Sequence, residues 1–143
     1  MYKALDIAKY VIWYCNHKHL GISNLKLQKM LYFIQAEFLV ELDYPCFEDQ
    51  IQAWDFGPVV PSVYHEYKIF GNSNIPYMSS DIPRIGLLLF EEKHIKEIVA
   101  ECSKYSASQL VDMTHRQTPW IEAYKKRENN EITNSKIKDF FTD

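Results

Sequence analysis

The sequence predicts a mainly α-helical single domain, and three observations carry that prediction. Apolar residues recur at spacings of three and four in several separate stretches. One of these, residues 25–42, contains neither Gly nor Pro. The four glycines and six prolines of the chain fall between the periodic stretches rather than inside them, as punctuation does.

Residues 4–16 place Leu5, Ala8, Ile12 and Cys15 on one stripe, the pattern of an amphipathic helix, with Gly21 as its stop signal. Ser23 is placed to cap a second helix by accepting a hydrogen bond from a free N–H of its first turn. In the span 25–42, Leu27, Met30, Leu31, Ile34 and Phe38 form a stripe, while Tyr32, Phe33, Ala36, Leu39 and Val40 cover most of the remaining circumference. A helix apolar nearly all round is enclosed by other elements, so this one is expected at the centre of the fold. Asp43-Tyr44-Pro45 breaks it.

Residues 51–54 alternate weakly between apolar and polar, and Gly57-Pro58 follows, which predicts a short strand or extended segment and then a tight turn shaped by that pair. Pro61 suits the first turn of a helix reaching about Phe70, closed by a left-handed Gly71. Residues 72–83 read as surface loop, and the IGLLLF run at 85–90 is either a buried strand or the start of the next helix. Ile95, Ile98, Val99 and Cys102 repeat at helical spacing; Ser106 with Gln109 forms a capping box ahead of Leu110 and Val111. Thr118-Pro119 puts a capping hydroxyl before a proline at the first helical position, and a last helix is expected over about 134–141. The predicted architecture is a compact helical domain around a buried helix at about 25–42, with at most a short strand or hairpin near 51–60 and 85–90.

At 143 residues and 47% hydrophobic composition the chain can bury a sizeable core as one domain, residues 1–143, without metals or disulfides. A net charge of −3 supplies no overall positive field for polyanions, so nucleic acid is not an expected partner of this chain alone. Cys15, Cys46 and Cys102 are odd in number and far apart, which fits a reducing cytoplasm and neither a disulfide framework nor a zinc module. No secretory leader is read at the start, and no run approaches the ~20 apolar residues of a membrane span.

Several residues could carry chemistry, and each also has a plainer role. Cys15, His17 and His19 are soft ligands in alternation, but with no second Cys/His cluster they fall short of a closed zinc site, and no metal is expected. His65 and Glu66 are helical neighbours pointing about 100° apart, which suits a solvated face better than an acid–base unit. Thr114-His115-Arg116 lacks any Gly-rich phosphate cradle nearby, and Thr114 and His115 are better read as satisfying backbone groups where two helices join. No assembled catalytic constellation and no cofactor site is read, so the chain is not expected to be an enzyme; a small hydrolase is the rival from that class. Lys26, Gln28 and Lys29 near the start of the second helix raise a helix-turn-helix regulator as a further rival, though a helix apolar nearly all round reads a major groove poorly. Aromatic residues make up 15% of the chain, and Trp54, Phe56, Tyr64 and Trp120 stand at turns or element ends, where such rings either pack the core or anchor a partner.

Three segments then fall in a telling order: LKLQKMLYFIQAEFL at 25–39, AWDFGPVVPSVYHEYK at 53–68 and LVDMTHRQTPWIEAYK at 110–125. Together they resemble the Panacea domain family of SocA-like and phage-associated GepA-like antitoxins, over nearly the whole chain. Lys26, Leu27, Gln28 and Lys29 match the first motif, Trp54, Gly57, Pro58 and Val59 the second, and Thr114, His115, Pro119 and Trp120 the third. The resemblance implies a mostly helical domain, often encoded beside a bacterial or prophage toxin gene, that neutralises the toxin by direct contact. One branch of the family instead delivers its toxin to an ATP-dependent protease. Some relatives add a separate DNA-binding domain, for which this chain leaves no residues. The expected partner-binding residues are Trp54, Phe56, Tyr64, His115 and Trp120; Lys26, Leu27, Gln28, Lys29, Gly57, Pro58, Val59, Thr114 and Pro119 are expected to be structural.

Overall fold

A computed structural model describes residues 1–142. The chain opens with helix α1 (Ala4–His17), followed by α2 (Asn24–Glu37), whose last turn widens into a π-helical segment (Phe38–Leu42). Strands β1 (Ile51–Trp54) and β2 (Gly57–Val59) form a hairpin. Helix α3 (Pro61–Tyr67) ends in a 3-10 turn (Lys68–Phe70), and α4 (Leu89–Cys102), α5 (Ala107–His115) and α6 (Thr118–Ala123) follow a long loop. Strand β3 (Glu131–Ile132) and helix α7 (Asn134–Phe141) complete the fold. The fold is mainly α, with one small antiparallel sheet ordered β2-β1-β3.

Helix α2 is central, as its apolar circumference predicts. Leu27, Met30, Leu31, Ile34 and Phe38 are all fully buried, and α2 packs against α1, α3, α4, α5, α7 and β2. Ser23 caps it by accepting from the Lys26 N–H, 3.3 Å away. Asp43 stops the π segment with a left-handed backbone at φ 63°, two residues before Pro45. Such a conformation suits a short polar side chain such as Asp.

Several local signals act as the sequence suggests. Ser106 and Gln109 form a reciprocal capping box, Gly71 closes the α3 segment at φ 55°, and α7 occupies 134–141 behind a Thr133 cap.

Others differ. At the end of α1 the left-handed residue is His19, at φ 57°. A Cβ at Gly21 would come within 2.8 Å of the Asn74 side chain, so that glycine serves close approach between loops. Residues 85–88 form neither a strand nor a helix, and α4 starts at Leu89. Gly57 and Pro58 belong to β2, and the hairpin turn is Asp55-Phe56, because Trp54 pairs with Gly57. Thr118 lies inside α6 and its cap position is Gln117, whose side chain makes no capping bond. No helix among the described residues is long and apolar enough to cross a membrane.

Candidate functional site

The hairpin β1–β2 is held by polar side chains of α2. Strand β2 is an edge, and an edge strand leaves backbone groups unpaired. Two consecutive residues of the first motif satisfy them: the Lys29 ammonium donates to the Pro58 carbonyl at 2.9 Å, and the Gln28 carbonyl oxygen accepts from the Val60 N–H at 2.9 Å. Gln28 in turn donates to Asn24 Oδ1 at 2.9 Å, and Asn24 donates to the Tyr64 carbonyl at 3.1 Å. One relay therefore ties α2 to both β2 and α3. Gln35 does the same for the loop before β1, accepting from the N–H groups of Cys46 and Phe47 and donating to the Phe47 carbonyl.

Gln28 and Lys29 are thus buried and face protein, and neither is free to read DNA. Lys26 is half-buried beside them. Gly57 is obligatory at the contact: it adopts φ 101°, and a Cβ there would fall 2.7 Å from Thr114 Oγ1 and 2.8 Å from Lys29 Cε. Thr114 is itself buried and donates to the Val111 carbonyl at 2.8 Å.

Burial pushes the Lys29 ammonium down to a pKa of about 7. The unfolded chain keeps that proton to about pH 10.4. Unfolding therefore takes up a proton between these values, and the stability governed by Lys29 rises with pH across that window, by up to about 1.4 kcal/mol per pH unit. The thiols of Cys15, Cys46 and Cys102, all raised by burial, act oppositely as the unfolded thiols ionise toward about pH 8.5. Urea midpoints for the parent and for Lys29→Met, measured from about pH 7 to about pH 8.5, isolate the lysine contribution. The parent's stability minus the variant's is expected to rise by on the order of 1 kcal/mol over that range, the thiol contribution being common to both chains; parallel slopes would contradict this role of Lys29.

A second set of contacts braces the hairpin from the other side. His115, Trp120 and Tyr124 stack in sequence, with ring centroids 4.1 and 4.5 Å apart. Trp120 Nε1 donates to the Trp54 carbonyl at 2.8 Å, His115 Nε2 lies 2.9 Å from the Asp55 carbonyl oxygen, and the Tyr124 hydroxyl donates to the Asp55 carboxylate. That hydrogen bond holds the Tyr124 phenol above its usual pKa.

Clamped between α2 and this stack, the hairpin presents a groove of about 250 Å³ lined by Leu25, Gln28, Trp54, Asp55, Phe56, Val59, Tyr64, Arg127 and Asn129. Trp54 and Tyr64 meet edge to face, with centroids 5.0 Å apart, and form its wall. Phe56, at the turn, is 65% exposed. Arg127 and Asn129 hold left-handed backbones at φ 68° and 49°. Non-glycine residues in that region carry strain that recurs at binding sites.

Of the five residues expected to bind a partner, Trp54, Phe56 and Tyr64 line this groove, and His115 and Trp120 lie in the stack that backs its turn. Arg127 and Asn129 carry no sequence periodicity that would single them out. The other ligand-like residues disperse. Cys15 is fully buried in α1 and His17 stacks on Trp13 at 5.3 Å, while His65 and Glu66 are exposed on α3.

Two polar clusters between α4 and the rest of the chain were not read from the sequence. Glu91 accepts from the Tyr2 hydroxyl, from the Tyr44 hydroxyl at 2.6 Å and from the Leu88 N–H at 3.0 Å. Burial opposes its charge, but those hydrogen bonds outweigh it and hold the carboxyl below its usual pKa. Farther along α4, His94 Nδ1 is 2.7 Å from the Glu37 carboxylate, with Glu97 beside them.

No solved structure matches the chain. The family described as "Antitoxin SocA-like, Panacea domain" matches residues 27–121. Antitoxin SocA of Caulobacter vibrioides is 36% identical over 110 residues, which cover 69% of this chain and 58% of that protein, so the chain spans less than two thirds of its relative's length. The family match takes in the Gln28 and Lys29 dock, the β1–β2 hairpin and the His115–Trp120 brace. The chain therefore belongs to the SocA-like antitoxin family built on the Panacea domain.

Proposed function

We propose that this chain is the antitoxin of a bacterial or prophage toxin–antitoxin pair, acting in the cytoplasm and neutralising a toxin encoded by an adjacent gene through direct contact, without catalysing a reaction. The observation that carries this reading is the groove. A rigidly braced hairpin offers an exposed Phe56 beside the Trp54–Tyr64 pair and the Arg127 side chain, the residue types in which interface energy concentrates. Its walls supply rings, aliphatic groups and a guanidinium, a surface suited to seating a partner's side chains. Family membership supports the class of partner.

Expressed alone, the adjacent gene is expected to arrest growth. Co-expression of this chain is expected to restore growth and to yield a complex that co-purifies. A harmless neighbour that forms no complex would contradict the proposal. The proteolytic-adaptor form of the same activity uses the same contact but consumes the toxin. In cells lacking the ATP-dependent proteases, rescue persists if binding alone neutralises the toxin and fails if delivery is required.

A further inference from the structure

Glu37 ends α2, immediately before the helix widens into its π segment, and His94 and Glu97 stand one turn apart on α4, which packs on α2. The three side chains bring a carboxylate oxygen, an imidazole nitrogen and a second carboxylate oxygen within 4.8 Å of one another. Glu37 and His94 are each about one fifth exposed, which leaves the cluster open on one side. Among the described residues, neither Glu37 nor Glu97 pairs with a lysine or arginine, although Lys93 and Lys96 lie on the same helix as Glu97. The Lys96 ammonium instead lies over the Tyr14 ring, 5.5 Å from its centroid. Two carboxylates therefore converge on one imidazole with no cation between them.

We propose that Glu37, His94 and Glu97 form a binding site for a divalent transition metal, Zn2+ being the best match. One imidazole and two carboxylates make a three-ligand set of the kind zinc accepts, with water filling the fourth, open position. The imidazole disfavours Mg2+ and Ca2+, which take oxygen donors. Zinc bonds of 2.0–2.1 Å place tetrahedral ligand atoms roughly 3.3 Å apart. The Glu37–His94 contact, now 2.7 Å, would widen by roughly 0.6 Å, and ligand atoms now as much as 4.8 Å apart would close toward the same spacing, shifts that rotation of partly exposed or exposed side chains can supply. Bound there, the metal would pin the end of α2 to the middle of α4. Glu37 lies nine residues beyond Gln28 on the same helix, roughly 14 Å along its axis, so the site is separate from the hairpin groove and independent of the antitoxin proposal.

Calorimetric titration of the full chain with ZnCl2 tests this, alongside thermal melts with and without the metal. The expected result is one saturable site per chain with a Kd on the order of 10 µM or tighter, a melting temperature raised by a few degrees at saturating zinc, and no competition from millimolar Mg2+. His94→Ala and Glu97→Gln should each weaken binding at least about tenfold, with circular dichroism confirming the fold, and His65→Ala on α3 should leave it unchanged. No saturable binding, or parental affinity in either His94→Ala or Glu97→Gln, would overturn the assignment.

Discussion

Replacing Leu31 or Ile34 with Asp is expected to abolish the cooperative folded state. Both side chains are fully buried in α2, the helix on which most other elements pack. Loss of the leucine or isoleucine forfeits on the order of 2–3 kcal/mol of burial and leaves a void. The new carboxylate must then either ionise without a partner or bind a proton at neutral pH, and each route adds several kcal/mol. Together these costs reach the exceptional range above ~4 kcal/mol, a large share of the 5–15 kcal/mol by which domains are usually stable. A circular dichroism melt of either variant should show no sharp transition, whereas Met78→Asp, on a loop residue 88% exposed, should melt with the parent. A parental melting temperature for Leu31→Asp would place α2 at the surface and return a DNA-reading role to consideration.

The parts of this fold legible in the sequence are those set by neighbours a few residues apart. The Ser23 and Ser106 caps, the Gly71 stop and the stripes of α1, α2 and α4 each depend on contacts within one or two turns. Gln28, Lys29 and Gln35 were not legible as buried residues, because the backbone groups they satisfy lie 11 to 32 residues away. From the residues alone, Gln28 and Lys29 instead raise the helix-turn-helix reading, and only the family resemblance marks them as structural. Gly57 stands out in the sequence as a turn residue, but the reason for it lies in Thr114 of α5 and Lys29 of α2, which press on it in β2. Strand β3 has two residues and exists through its pairing with β1, so no alternation could announce it. Of the groove, Trp54, Phe56 and Tyr64 stood out as rings at element ends, while Arg127 and Asn129 come from a loop that the sheet and α6 bring back to the hairpin. The Glu37–His94 contact joins residues 57 apart and left no local trace.

Phe56→Asp is expected to cost the complex with the toxin at least ~2 kcal/mol, about a thirtyfold loss of affinity, while leaving the fold intact. Phe56 stands largely in solvent at the hairpin turn, so its removal empties no core space, whereas Trp54 and Tyr64 also brace the hairpin and α3 against each other. Trp54→Ala or Tyr64→Ala should therefore weaken growth rescue through both lost contact and a looser hairpin. Phe56→Asp separates the two, because it alters the surface offered to the partner and leaves the Gln28 and Lys29 dock in place. The most direct measurement is a titration of the purified toxin with the parent, Phe56→Asp and Met78→Asp chains, each first matched for helical signal and melting temperature. The groove reading predicts tight binding by the parent and Met78→Asp and at least about thirtyfold weaker binding by Phe56→Asp; parental affinity in Phe56→Asp would contradict it.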